Sequence, residues 1–213
     1  MSGSLLSALA IGLLLGMRHA TDSDHVVAVT AIASTEKSVG RALRIGAAWG
    51  LGHSTTLLLV GGIIVLFRLT IPPRVGLAFE MLVALMLIGI GTFTLSGRGN
   101  SHPTSFRRPV AVGFVHGLAG SAFVALLVLA ALPGWISQLM YLALFGLGTV
   151  VGMAVITAAI AMPATMAGRR FRGMGSGLRF ASGVASIAFG LILAHRVGVM
   201  DGLFAATPVW TPK

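Results

Sequence analysis

The sequence predicts an all-α, polytopic membrane helix bundle: six spans arranged as a 3+3 inverted repeat, with the first helix distorted or broken near residues 18–24. Three observations lead there. Hydrophobic residues make up 56% of the 213 and charged residues only 9%, where a soluble domain carries about 25% charged residues. Apolar runs of the length a bilayer requires, about 20 residues, recur between short polar breaks. A set of glycine, histidine and aromatic positions in the first half returns in the same order in the second.

The spans fall near 4–33, 42–67, 75–95, 109–132, 135–162 and 177–199. Glu36–Lys37, Pro72–Pro73, the polar stretch 96–108, Pro133–Gly134 and the basic stretch 169–172 separate them. The first run is too long for one plain helix. Its Thr21, Asp22, Ser23 and Asp24 favour helix starts over helix interiors, so a break is expected there, leaving backbone carbonyls free to face a cation. Residues 2–4 hold no Lys or Arg, which a secretory leader needs, so the opening run reads as a retained span. Residues 1–213 then form a single transmembrane domain, with repeat one about 4–97 and repeat two about 108–200.

A formal net charge of +10 invites a nucleic-acid reading, but its placement argues against one. Lys37, Arg41, Arg44, Arg98, Arg107, Arg108, Arg169, Arg170, Arg172 and Arg179 sit at the connections on one side. Only Arg68, Arg74, Arg196 and Lys213 sit on the other. That asymmetry is the positive-inside pattern of a cytoplasmic (inner) membrane protein with both termini outside. The chain has no cysteine, which removes disulfides, thiolate metal sites and the redox chemistry of a membrane oxidoreductase. It has no GxxxxGK[ST] either, so energy comes from the membrane potential, an ion gradient or a partner. The expectation is a transporter and not an enzyme, with no resident cofactor, the lipid bilayer around it and no nucleic-acid partner.

The repeat is read from three pairings. Gly16–Met17–Arg18–His19 resembles Gly113–Phe114–Val115–His116, at an offset of 97. Trp49–Gly50–Leu51–Gly52–His53 resembles Phe145–Gly146–Leu147–Gly148–Thr149, at 96. Gly76, Leu77, Phe79, Val83, Ala84 and Gly89 return as Gly177, Leu178, Phe180, Val184, Ala185 and Gly190, at 101. Units of three spans enter the membrane in opposite senses, an architecture common among transporters.

The stretch from His19 to His25 sets two imidazoles and two carboxylates, Asp22 and Asp24, inside an otherwise apolar run. A charge at mid-membrane costs roughly 2.5–3.5 kcal/mol on insertion scales, so such residues usually serve a function. Imidazole with carboxylate suits a borderline divalent cation. On an intact helix His19, Asp22 and His25 step by about 60° along one face, while Asp24 lies about 140° from His19. An intact helix therefore favours Asp22 as the partner of the two histidines, and a broken one admits Asp24. Each residue also has a structural reading. The histidines can lock helices through the carboxylates, Asp24 can cap a half-helix, Asp22 can pair with Arg18, and His53 can pack on Ser54 or Thr55. His116 enters on the strength of the repeat. Glu80 and Met17 read as structural, and His102, His195 and Asp201 as solvated.

His19-x4-Asp24-His25 resembles the signature of the nickel/cobalt transporter family, and Leu51–Gly52–His53–Ser54–Thr55 resembles that family's second signature. Family members commonly have eight spans and acidic later signatures, whereas residues 115–121 and 146–153 here hold no acid. The shorter form is similar to urease accessory membrane proteins of the H type. The resemblance implies secondary transport of Ni2+ or Co2+, with His19, Asp24, His25 and His53 in metal recognition and Asp22 at the acidic position inside the motif. With His116 added from the repeat, these make up the expected metal site. Import is preferred, and protonation of histidine should reduce uptake at low pH. The alternatives are a non-transporting accessory protein that docks metalloenzyme maturation proteins through its basic loops, and an exporter of metal or another small solute.

Overall fold

Helix boundaries follow the local signals in the chain. The computed structural model describes residues 3–33, 36, 38–97, 106–118, 128–129, 131–168 and 174–210. Among them there are helices and no strands: α1 (Gly3–His19), α2 (Ser23–Ala33), α3 (Val39–Phe67), α4 (Pro73–Leu95), α5 (Arg107–His116), α6 (Trp135–Gly168) and α7 (Met174–His195), which runs into a π-helical turn at Arg196–Met200. Pro73 opens α4, where its missing N–H costs nothing. Arg68 closes α3 in the left-handed conformation, φ 52°, with its N–H on the Ile64 carbonyl.

Among the described residues, four helices are long and apolar enough to cross a membrane: Val39–Phe67, Pro73–Leu95, Trp135–Pro163 and Ser176–Met200. The first apolar run is broken where expected, into α1 and α2. Of the expected span at 109–132, α5 covers the start and turns at Gly117–Leu118, and most of the remainder lies outside the described residues. The distribution of side chains is that of a membrane protein. Leu59, Leu147, Val155 and Ile192 are exposed, while His25, His53, His116, Thr149 and Ser186 are completely hidden. A water-soluble fold inverts that preference.

Small residues let the helices meet backbone to backbone. A Cβ at Gly16 would meet the Phe145 carbonyl and the Thr149 amide nitrogen, and one at Gly148 would meet the Leu13 carbonyl and the Met17 nitrogen. These contacts clasp α1 to α6. A Cβ at Gly113 would meet the Trp49 carbonyl and His53 nitrogen, and one at Gly52 the Val110 carbonyl and Phe114 nitrogen, clasping α5 to α3. Between α4 and α7, Gly190 abuts the Ala84 carbonyl and Ile88 nitrogen, and Gly91 abuts the Gly183 carbonyl and Ile187 nitrogen. Hydroxyls reinforce the seams: Ser54 donates to the Gly146 carbonyl, Thr56 to Phe114 and Ser186 to Leu87, each at 2.8 Å. In bilayers such bonds average about 0.6 kcal/mol each, so they supplement the close packing of the helices. Trp49, Val83, Leu87 and Met153 form the main apolar core together with Ala28, Val29 and Ala33 of α2.

Two peripheral features complete the fold. Between α2 and α3, burial raises the Glu36 carboxyl above its ordinary range, and Arg41, 3.6 Å away, pulls it back down. At the far end, the segment after the π-helical turn folds back on α4. Trp210 lies against Gly76 and its indole N–H donates to Glu80 at 2.8 Å, while Arg74 donates to the Ala205 carbonyl at 3.1 Å.

Candidate metal site

The break between α1 and α2 is what assembles the site. The Thr21 amide and hydroxyl both donate to the Arg18 carbonyl, at 2.8 and 2.6 Å, and the Asp22 amide donates to the His19 carbonyl at 3.0 Å. The Asp22 carbonyl then accepts from Val26 at 3.0 Å and starts α2. Short polar side chains favour this kind of local closure. The expected free carbonyls at Arg18 and His19 are therefore taken up within the turn, and the site is built from side chains.

Four imidazoles converge. His19 comes from the last turn of α1, His25 from the first turn of α2, His53 from mid-α3 and His116 from the end of α5. His25, His53 and His116 are fully hidden and His19 is 5% exposed. Ring centroids lie 4.3 Å apart for His25 and His116, 4.6 Å for His19 and His25, and 5.0 Å for His25 and His53. His25 is at the centre.

The carboxylates fix the tautomers, because an ionised carboxylate only accepts. His19 Nδ1–H donates to Asp22 at 2.8 Å, His25 Nδ1–H to Asp24 at 3.2 Å, and His116 Nε2–H to the other Asp24 oxygen at 2.9 Å. His19 Nε2 is left as an acceptor, so His53 Nε2–H donates to it at 3.1 Å. His25 Nε2, His53 Nδ1 and His116 Nδ1 then carry lone pairs with no hydrogen-bond partner among the described residues. Leaving a buried polar atom unsatisfied costs about 1–3 kcal/mol. A lock between helices gains nothing from three of them, whereas a cation ligand set needs such lone pairs.

Among the described residues, two overlapping groups have one ligand atom per residue within 4.8 Å of one another: His19, His25 and His53, and Asp24, His25 and His116. The break thus brings Asp24 to the rings, as an interrupted helix allows, while Asp22 holds His19 from behind and not Arg18. Asp22 is 38% exposed and Asp24 15%. All six expected residues come together in one cluster.

Two aromatic neighbours were not anticipated. Trp49 lies beside both His25 and His116, tilted by 31° to the first ring and edge-on to the second, with centroids at 5.7 and 5.6 Å, and Phe145 lies tilted beside His19 at 5.5 Å. A signal existed for both: Trp49 stands one helical turn before His53, and Phe145 is its counterpart in the second half. Met17 and His195 are exposed and stay outside the cluster. Asp201 is half-buried and pairs with Arg196 at 3.7 Å, so it is less solvated than its position suggests. His102 lies outside the described residues.

No protein-family model matches the chain, and no solved structure matches it. Among curated proteins, the chain is 32% identical over 219 aligned positions to the urease accessory protein UreH of Bacillus sp. (strain TB-90), covering 94% of this chain and 96% of that protein.

Proposed function

The chain belongs to the UreH family of urease accessory proteins, and we propose that it is a secondary transporter of a divalent transition-metal cation, Ni2+ or Co2+, in the cytoplasmic membrane. One observation carries this reading: four hidden imidazoles and Asp24 meet in the interior of a lipid-facing bundle, three of the rings with a nitrogen that has no partner among the described residues. Kinship with a urease accessory protein favours nickel as cargo.

The six-span inverted repeat belongs to the same proposal. Its support is the reciprocity of the glycine seams. Gly16 against Phe145 and Thr149 becomes Gly113 against Trp49 and His53 when the offsets of 97 and 96 are applied. Gly148 against Leu13 and Met17 becomes Gly52 against Val110 and Phe114. For α4 and α7 the reciprocal contacts, Gly91 with Gly183 and Gly190 with Ala84, obey an offset of 99 where the residue pattern alone suggested 101. The positive-inside asymmetry supports a reading with both termini outside, on which the membrane potential favours import, contributing about 2.3 kcal/mol per charge per 100 mV and twice that for a dication.

The relative's name favours a second reading, an accessory role in metalloenzyme maturation without transport. Vesicle uptake of radioactive Ni2+ and Co2+ by wild type and His19→Ala, with amino acids as control cargo, separates the two. Transport predicts metal flux in wild type that collapses in the variant. Equal flux in both removes the site from transport.

A further inference from the structure

We infer that the cluster holds its cation at two overlapping positions in turn, one made by His19, His25 and His53 and the other by Asp24, His25 and His116, with His25 handing the ion between them. The inference rests on the transport reading and specifies how that site works.

Each group alone brings three ligand atoms within 4.8 Å, and His25 is the one residue common to both. The ring is placed for a shared role. Its Nδ1 faces Asp24 at 3.2 Å, its Nε2 has no partner among the described residues, and its centroid lies within 5.0 Å of the other three imidazoles. A neutral imidazole has a single lone pair, so His25 ligates one cation at a time unless it loses its second proton. Two dications side by side in a low-dielectric interior also repel strongly. Occupancy is therefore alternate.

The positions differ in chemistry and in origin. The first offers neutral nitrogens only. The second adds a carboxylate, which offsets part of the cation's charge. His19 and His116 are counterparts at an offset of 97, and each belongs to one position alone. An inverted repeat that rocks would tighten one position as it opens the other. A cation passing between halves of the molecule thus exchanges one of these two histidines for the other and keeps His25 throughout.

Purified full-length protein in nanodiscs, titrated with Co2+, tests this by its absorption spectrum and stoichiometry. Vesicle uptake of radioactive Ni2+ is measured in parallel. Wild type should bind a single Co2+ per chain. His53→Ala and His116→Ala, checked for folding by circular dichroism, should each still bind Co2+, with spectra that differ from one another. Their uptake should fall at least about tenfold, as expected when a ligand shell is broken. Two Co2+ per wild-type chain would overturn alternate occupancy, and that measurement needs no variant. Wild-type uptake in His116→Ala, or loss of all Co2+ from both folded variants, would overturn the hand-off while leaving transport intact. Wild type that neither binds Co2+ nor takes up Ni2+ would remove the transport reading and this inference together.

Discussion

Asp24 accepts a hydrogen bond from His116 Nε2 at 2.9 Å, across 92 residues of chain, while its other oxygen accepts from His25. One carboxylate therefore ties the broken first run to the end of α5. Among the described residues, the Asp22 carboxylate accepts its hydrogen bond from His19. The two acids have different duties, and asparagine at each position exposes the difference. Asp24→Asn should abolish Ni2+ uptake, because a charged ligand is gone. Asp22→Asn should retain binding with affinity reduced about 10–100-fold, the usual loss when a group that orients a ligand is removed. Vesicle uptake checks the first and isothermal titration with Ni2+ the second; uptake lost in Asp22→Asn but kept in Asp24→Asn would exchange the roles.

The glycine seams predict a sharp contrast among single methyl additions. Gly16→Ala and Gly113→Ala drive a Cβ into a carbonyl of the neighbouring helix, whereas Gly89 has nothing within 4 Å of that point. Overpacking of this kind costs about 1–3 kcal/mol. Folded yield in detergent should drop for the first two and hold for Gly89→Ala.

Trp210 and Glu80 make a separate prediction about stability. The indole N–H is the hydrogen-bond donor to a carboxylate that is only 8% exposed. Trp210→Phe keeps a ring against Gly76 but strands that carboxylate, at a cost of about 1–3 kcal/mol. Thermal unfolding should show the loss, while Ni2+ uptake per folded molecule stays at the wild-type level because, among the described residues, the pair makes its hydrogen bond apart from the cluster's own network.

Uptake should also fall as the medium is acidified. Imidazole ligates only with a free lone pair, so protons and metal compete for the same nitrogens and binding releases protons. Raising the Ni2+ concentration at low pH should restore the rate. A loss that excess metal cannot reverse points to unfolding instead of competition.

Much of this was legible in the chain because intramembrane polarity is conspicuous. His19, Asp22, Asp24 and His25 stand out against the apolar run, and four successive helix-starting residues announce the break. The choice between the acids was not legible, since it depends on whether the helix is continuous, and that is decided by a turn closed through Thr21 and Asp22. The same closure consumes the carbonyls that a break was expected to free. His116 was visible only through the repeat. Glu80 gave no hint of Trp210, which lies 130 residues away. On the proposed repeat, the contacts of α4 and α7 fit an offset of 99 where the residue pattern suggested 101, because helices rich in Gly and Ala match at several shifts. Only backbone contact selects one.

Asp22 is also the most exposed member of the cluster, at 38%, while the four rings are sealed. Whatever nears the cluster from that flank meets a negative charge before any neutral ring. A hydrated dication would begin shedding its water against that carboxylate, at the threshold, and an approaching anion would be turned back there.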